Sequence, residues 1–241
     1  AARERGGQAE LLRFEPLGTV TILHVTDIHA QLMPLHFREP SINLGVGPAK
    51  GQPPHLVDAG FRAHFEIAAG SPDAFALTSD DFVSLAKTYG KMGGMDRVAT
   101  LVKAVRAERG DDKVLLLDGG DTWQGSWSSL QSKGQDMVDV MSALKTDAMV
   151  GHWEFTLGAE RVKEIADSAS FAFLAQNIRD TEWNEPVFAP RKVFEKGGVK
   201  VAVIGQALPR TAIANPRWMF PNWEFGIREE EIQKQVDEAR A

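Results

Sequence analysis

Short apolar runs alternate with helical patterns along most of this chain of 241 residues. The runs at 20–25, 114–117, 148–150 and 171–174 have the length and composition of strands. A helical spacing of apolar residues is clearest over 95–109, where the apolar positions recur at i, i+3, i+4 and i+7. Alternation of strands and helices over this length predicts an α/β domain with a layered sheet.

Residues that bind metals follow three of these apolar runs. Asp27-Ile28-His29 follows the first run, Gly120-Asp121 the second and Gly151-His152 the third. Side chains at i and i+2 of an extended segment point to the same side, so Asp27 and His29 can converge on one metal. In open α/β sheets functional groups gather at the carboxyl ends of strands. The sequence therefore predicts that Asp27, His29, Asp121 and His152 meet in one crevice.

Histidine with aspartate suits zinc, iron or manganese better than calcium. Asp121 is flanked by Gly119 and Gly120, which leave backbone room for a carboxylate that bridges two cations. Two divalent metals polarise a substrate oxygen and generate a hydroxide at neutral pH, which predicts hydrolysis at phosphorus or sulfur. Four ligands are too few for two metals, so we expect further ligands beyond Ala241. Taken singly, each motif is explained as well by a cap or a turn; their common order and position favour the metal site.

Composition excludes several other functions. A formal net charge of −6 with no cluster of basic residues argues against nucleic-acid binding, and no apolar stretch is long enough to span a membrane. The absence of cysteine excludes disulfides and zinc–thiolate sites.

The chain is predicted to begin with a flexible leader over 1–18, followed by one catalytic domain over 19–241. Residues 31–94 are rich in proline and glycine and poor in periodic patterns, so we interpret them as a long insertion that covers the site; a surface insertion without a role is the alternative. Residues 191–204 predict a β-hairpin. A charged helix over 228–240 has no strand after it, which predicts a fold that is incomplete at its C-terminus.

The order of these motifs resembles that of the metallophosphoesterase (calcineurin-like) superfamily, in particular its 5′-nucleotidase branch. A closer resemblance is to the SoxB proteins, the thiosulfohydrolases of bacterial sulfur oxidation. It rests on four segments: 27–32 (DIHAQL), 37–45 (FREPSINLG), 119–126 (GGDTWQGS) and 151–155 (GHWEF).

This resemblance implies a periplasmic hydrolase with two divalent metals, most simply Mn²⁺, with Zn²⁺ or Fe as alternatives. The substrate would be a cysteine-S-thiosulfonate on the carrier protein SoxYZ, hydrolysed by a metal-bound hydroxide with release of sulfate. Asp27 and His29 would bind one metal, Asp121 would bridge, and His152 would take the position that asparagine usually has on the second metal. The family's C-terminal 5′-nucleotidase-type domain is absent from the sequence, which leaves an inactive or binding-only fragment as one alternative.

Trp153 stands where phosphoesterases of this branch have a histidine that helps the leaving group. An indole cannot donate a proton as an acid. An alkoxide leaving group has a conjugate acid with a pKa of about 15.7, whereas a thiol has one of about 8.5. The difference of about seven units corresponds to at most about 10 kcal/mol of assistance that a sulfur leaving group does not need. Trp153 therefore favours sulfur chemistry over the alternative of a 5′-nucleotidase or other phosphomonoesterase, unless it is only a packing residue.

Four further residues are candidates for the site. Glu154 is expected to orient a metal ligand through a hydrogen bond rather than to act as a base. Arg38 is a candidate to bind a sulfonate oxygen. Trp123 and Gln124, which follow the bridging carboxylate, are candidates to line the substrate pocket, although Trp123 is equally compatible with the core.

Overall fold

The structure is a computed structural model that describes residues 17–36 and 43–241. It divides into two compact units, one formed by residues up to Leu32 together with Met95–Ala241, the other by Met33–Gly94. Within these described residues, none of the helices is both long enough and apolar enough to cross a bilayer. Arg38 and most of the predicted leader lie outside the described residues.

Four parallel strands form the sheet of the larger unit, in the order β1 (Thr21–Val25), β2 (Val114–Asp118), β3 (Ala148–Met149) and β4 (Ala172–Phe173). Strands β1 and β2 pair over their full length, from Thr21 opposite Val114 to Val25 opposite Asp118. The α/β class with a parallel sheet is therefore confirmed. Because all four strands run in one direction, their carboxyl ends lie along one edge of the sheet.

Nine helices accompany the strands in the described part of the chain. They are α1 (Asp58–His64), α2 (Pro72–Leu77), α3 (Phe82–Tyr89), α4 (Met95–Arg109), α5 (Trp127–Ser132), α6 (Gln135–Ala143), α7 (Ala159–Ser168), α8 (Thr211–Ala214) and α9 (Glu229–Arg240). Short 3₁₀ turns occupy Gly47–Ala49, Asp111–Lys113, Trp153–Leu157 and Arg217–Met219. The helices predicted over 95–109 and 228–240 are confirmed.

Two antiparallel pairs complete the larger unit. Strands β6 (Arg191–Lys196) and β7 (Val199–Ile204) form the predicted hairpin, which turns through two glycines with positive φ. Strands β5 (Ile178–Asp180) and β8 (Trp223–Phe225) also pair, although about forty residues of chain separate them. The second pair has no local sequence signal, since its strands are three residues long.

The core of the larger unit explains why β2 is so apolar. Val114, Leu115 and Leu116 are completely buried, because β2 has a neighbouring strand on each side. Strand β1 alternates instead: Leu23 packs against the core, whereas Ile22 is 57% exposed. The sheet's carboxyl edge is thus held by a rigid central strand, and the loops that follow β1, β2 and β3 start from fixed positions.

The unit Met33–Gly94 is more regular than its sequence indicates. Helices α1, α2 and α3 lie within it, and Ala74, Phe75, Leu85 and Ala86 form its small core. The interpretation of this stretch as an irregular loop was wrong, because helices of six to eight residues are too short to show periodicity. Its position over the site stays a prediction.

Candidate metal centre

The three sequence-predicted ligands Asp27, His29 and Asp121 adopt the left-handed backbone conformation, with φ of +53°, +52° and +57°. Non-glycine residues rarely adopt this conformation, and they concentrate at functional sites when they do. Strand β1 ends at Val25, so Asp27 and His29 do not belong to an extended segment. The predicted i, i+2 geometry was therefore wrong, although the two side chains do converge.

Backbone hydrogen bonds hold the loop after β1 against the loop after β2. The N–H groups of Asp27, His29 and Ala30 donate to the carbonyl oxygens of Gly120, Asp121 and Thr122, at 2.9, 2.9 and 3.0 Å. These bonds continue the β1–β2 pairing past the ends of both strands. The surrounding structure therefore compensates for the strained conformations, which persist only where they are over-determined in this way.

Glu154 holds the same β2 loop from its other side. Its side chain is fully buried, and Oε2 accepts the N–H groups of Asp121 and His152 at 3.0 and 2.7 Å. Oε1 accepts those of Thr122 and Trp123 at 2.6 and 3.2 Å. The four amide donors fix the position of this carboxylate and of the two loops, which agrees with the expected orienting role.

Asp121 is the centre of the candidate ligand set. Its Oδ2 lies 3.5 Å from Nε2 of His29 and 3.1 Å from Nδ1 of His152, and Nε2 of His29 lies 3.9 Å from Oδ1 of Asp27. One ligand atom from each of Asp27, His29 and Asp121 can be chosen so that all lie within 4.8 Å of one another. The structure thus brings the four predicted ligands together, with His152 next to Asp121 but outside this close trio.

The buried carboxylate of Asp121 fits a metal site. The residue is only 2% exposed, and its Oδ1 has no hydrogen-bond partner. A buried carboxylate oxygen without a partner is costly unless a cation compensates it. Imidazole and carboxylate together are ligands that divalent transition metals accept, so the residues present fit the predicted ions.

Asp118, the last residue of β2, is a buried carboxylate that the sequence analysis missed. Burial raises its pKa to about 7, and the negative charges of Glu154 and Asp27 act in the same direction. Hydrogen bonds from the Gly120 N–H and the Thr122 hydroxyl, both 2.9 Å from Oδ1, only partly offset this. The available signal was a carboxylate that ends an otherwise apolar strand.

The raised pKa predicts how Asp118 affects stability. The folded-state pKa of Asp118 lies above the ordinary value of 3.8. The contribution of Asp118 to the free energy of unfolding is therefore fully present below about pH 4 and is lost as the pH rises through about 7. In metal-free protein, Asp118→Asn should match the wild type near pH 4 and exceed it by up to about 4 kcal/mol at pH 8. Urea unfolding in chelator at both pH values tests this. The exposed Asp139→Asn serves as control, and a pH-independent difference for Asp118→Asn would contradict the prediction.

Gly125 lets the β2 loop approach His29. It has a φ of +136°, and a Cβ at this position would lie 2.4 Å from the carbonyl oxygen of His29. Such an overlap with backbone cannot be relieved by a side-chain rotation. The glycine is therefore required by the close contact between the two ligand-bearing loops.

Gly125→Ala should displace His29 and weaken metal binding. Gly198→Ala is a matched control, because Gly198 also has a positive φ (+78°) but open space around it. A left-handed conformation costs an alanine about 1–2 kcal/mol, so the control should lose about that much stability and keep its metal affinity. We expect Gly125→Ala to lose more than the control in urea unfolding and at least about tenfold in Mn²⁺ affinity. Equal losses in the two variants would contradict this steric argument.

The remaining sequence candidates have different positions. Trp123 is fully buried and its ring centroid lies 5.7 Å from that of Phe173, so of its two predicted positions the structure shows the core and not the substrate pocket. Gln124, the next residue, is half-buried. Trp153 is also half-buried, and its ring meets the His152 ring edge-on at a centroid distance of 6.0 Å.

Comparisons with known proteins agree with this architecture. No protein-family profile matches the chain. A snake venom 5′-nucleotidase from Gloydius brevicauda is 33% identical over 206 residues, which cover 77% of this chain and 34% of that protein. The 5′-nucleotidase of Vibrio cholerae is 36% identical over 157 residues, which cover 63% of this chain and 28% of that protein. The chain thus spans about a third of the curated relatives it matches.

Solved structures give a similar result. The sulfate thiohydrolase SoxB from Thermus thermophilus, in complex with glycerol, superposes with a TM-score of 0.79 at 34% identity, covering 95% of this chain and 42% of that chain. A 5′-nucleotidase precursor, also from Thermus thermophilus, gives a TM-score of 0.60 at 24% identity, with coverage of 91% and 34%. The calcineurin-like phosphoesterase YfkN from Bacillus subtilis gives 0.57 at 18% identity, with coverage of 92% and 58%. At such identities the last two show the fold alone, and they confirm the calcineurin-like class.

Proposed function

We propose that this chain belongs to the 5′-nucleotidase-like metallophosphoesterase family, to whose members it is similar, and that it is the catalytic part of a thiosulfohydrolase. The substrate is a thiosulfonate bound through sulfur to a cysteine of a carrier protein, in the manner of SoxYZ. A water oxygen bonds to the sulfonate sulfur as the bond between that sulfur and the neighbouring sulfur on the carrier breaks. The carrier leaves as a persulfide (cysteine-S-SH) that takes up one proton of the water, and the other proton is released. Sulfate is the product, and the periplasm is the proposed location.

One observation carries this proposal. The residue after the candidate ligand His152 is a tryptophan whose ring packs against the His152 ring. This position therefore carries no general acid. Hydrolysis of a phosphate ester would lack a group that protonates the alkoxide leaving group. A carrier sulfur leaves without such help, because the pKa of a thiol is about 8.5. The similarity to the SoxB structure supports the same substrate class.

The side chains have distinct roles in this proposal. Asp27, His29 and Asp121 would hold one divalent metal, and Asp121 with His152 would contribute to holding a second. When bound, these metals supply the positive charge that polarises a sulfonate oxygen and lowers the pKa of water. Glu154 fixes the amides of the two loops that carry Asp121 and His152. Trp153 leaves an apolar surface beside His152, where a sulfur atom is better accommodated than a hydrated alkoxide.

The proposal is tested with the complete gene product that contains this chain. Sulfate release from a carrier loaded with cysteine-S-thiosulfonate is measured beside phosphate release from AMP, both with Mn²⁺. We expect sulfate release to be the faster reaction by at least about 100-fold. Efficient nucleotide hydrolysis with an untouched carrier would overturn the proposal.

Trp153→His supplies the missing acid and tests the reason for the preference. We expect phosphate release from AMP to rise about 100-fold or more, in line with the usual contribution of a general acid, while sulfate release changes much less. Trp153→Phe is the control, because it removes the indole N–H without adding an acid. A histidine variant that behaves like the phenylalanine variant in both assays would contradict the leaving-group argument.

A 5′-nucleotidase is the second candidate. It is favoured by the curated relatives, which are 30–36% identical and carry that name. The same pair of assays separates the two candidates, because only a nucleotidase would release phosphate from AMP without the Trp153→His change.

A further inference from the structure

We infer that Thr26 is a positioning residue that sets the carboxylate of Asp27 for metal binding. The inference rests on the metal site of the proposed function. Oγ1 of Thr26 lies 2.6 Å from Oδ2 of Asp27, which is the distance of a strong hydrogen bond from a hydroxyl to a carboxylate. Neither the ligand motifs nor the leaving-group argument uses this residue.

The hydroxyl has a second acceptor within reach, and the distances decide between them. The carbonyl oxygen of Gly120 lies 3.4 Å from Oγ1, beyond the usual range for a bond between two oxygens. A hydroxyl has one proton to donate. The shorter bond is also assisted by the charge of the carboxylate, so Thr26 donates to Asp27.

This bond leaves one oxygen of Asp27 for the metal. While Oδ2 is held by Thr26, Oδ1 lies 3.9 Å from Nε2 of His29, the neighbouring candidate ligand. The side chain of Asp27 is 58% exposed, so packing alone does not fix its orientation. The hydroxyl bond thus fixes a rotamer that an exposed aspartate would otherwise hold only part of the time.

The space for the hydroxyl depends on Gly119. A Cβ at position 119 would lie 2.8 Å from Oγ1 of Thr26 and 2.9 Å from Nε2 of His24. An alanine there would push the Thr26 side chain away from its present position. The hydrogen bond from Thr26 to Asp27 therefore depends on the absence of a side chain at Gly119.

Mn²⁺ affinity, measured by calorimetric titration of chelator-stripped protein, tests the role. Bonds to metal ligands typically contribute 10–100-fold to metal affinity, so we expect Thr26→Val to weaken Mn²⁺ binding by about that factor. Thr26→Ser keeps the hydroxyl and should restore affinity to within about threefold of wild type. Thr100→Val is the matched control, since Thr100 is also exposed and its hydroxyl donates to a backbone carbonyl in α4, at 2.9 Å.

The outcomes separate this inference from the proposed function. Wild-type affinity in Thr26→Val, or a serine variant as weak as the valine variant, would overturn the role of Thr26 alone. A wild-type protein that binds no Mn²⁺ would overturn the metal site itself. Gly119→Ala is a second test of the same arrangement. It should weaken Mn²⁺ binding about as much as Thr26→Val does, while both variants keep a metal-free melting temperature near that of the wild type.

Discussion

Asp121→Asn is expected to abolish metal-dependent hydrolysis and, in metal-free protein, to increase the free energy of unfolding. The loss of activity follows from geometry, because Oδ2 of Asp121 is the atom that meets both His29 and His152. Metals supply several kcal/mol of transition-state stabilisation, so we expect at least about a 1000-fold loss. Mn²⁺ stoichiometry should fall together with the activity.

The gain in stability has a separate cause. Asp121 is a buried carboxylate with one unpartnered oxygen, and asparagine replaces it with a neutral amide of similar shape. Functional sites often carry such a cost in stability, and we expect a gain of about 1 kcal/mol or more in urea unfolding with chelator. Asp167→Asn, on the exposed face of α7, is the control for both measurements. An Asp121→Asn protein with normal Mn²⁺ stoichiometry would remove Asp121 from the site.

The sequence predicted which residues lie at the carboxyl edge of the parallel sheet, because each strand is a local apolar run and the residues after it are read directly from the sequence. Apolar runs identified β1, β2, β3 and β4, and parallel strands necessarily bring their carboxyl ends to one edge. For that reason the sequence could predict that Asp27, His29, Asp121 and His152 come together. The left-handed backbone conformation at Asp27, His29 and Asp121 was not predictable, since the loops that carry them are joined by hydrogen bonds between residues about ninety positions apart.

Other features depend on contacts that no local pattern encodes. Glu154 was expected to orient one ligand, but its four amide donors come from two loops that meet only in the folded chain. Trp123 follows the ligand Asp121 by two residues in sequence, yet its side chain is fully buried and packs near Phe173 in the core. Strands β5 and β8 pair although they are far apart in sequence, and segments of three residues are too short for a sequence pattern to predict the pairing.

Glu154→Gln should be strongly destabilising although it is a conservative change. Each carboxylate oxygen of Glu154 accepts two backbone N–H groups. The amide group of glutamine replaces one oxygen with a donor, so two buried N–H groups lose their acceptor whichever way it is oriented. Each such loss costs about 1–3 kcal/mol, which gives about 2–6 kcal/mol in total.

Urea unfolding of chelator-stripped protein measures this loss, with Glu160→Gln on the exposed first turn of α7 as control. The control should lose less than about 1 kcal/mol, the usual effect of a charge at a helix N-terminus. Mn²⁺ affinity should fall in Glu154→Gln as well, because the amides of Asp121 and His152 share one oxygen and both loops shift when it is lost.

A Glu154→Gln variant as stable as the control would contradict this prediction, because it would mean that contacts other than those of Glu154 hold the two loops. An insoluble Glu154→Gln beside a soluble Glu160→Gln would place the loss at the upper end of the range, since a domain has only about 5–15 kcal/mol of stability.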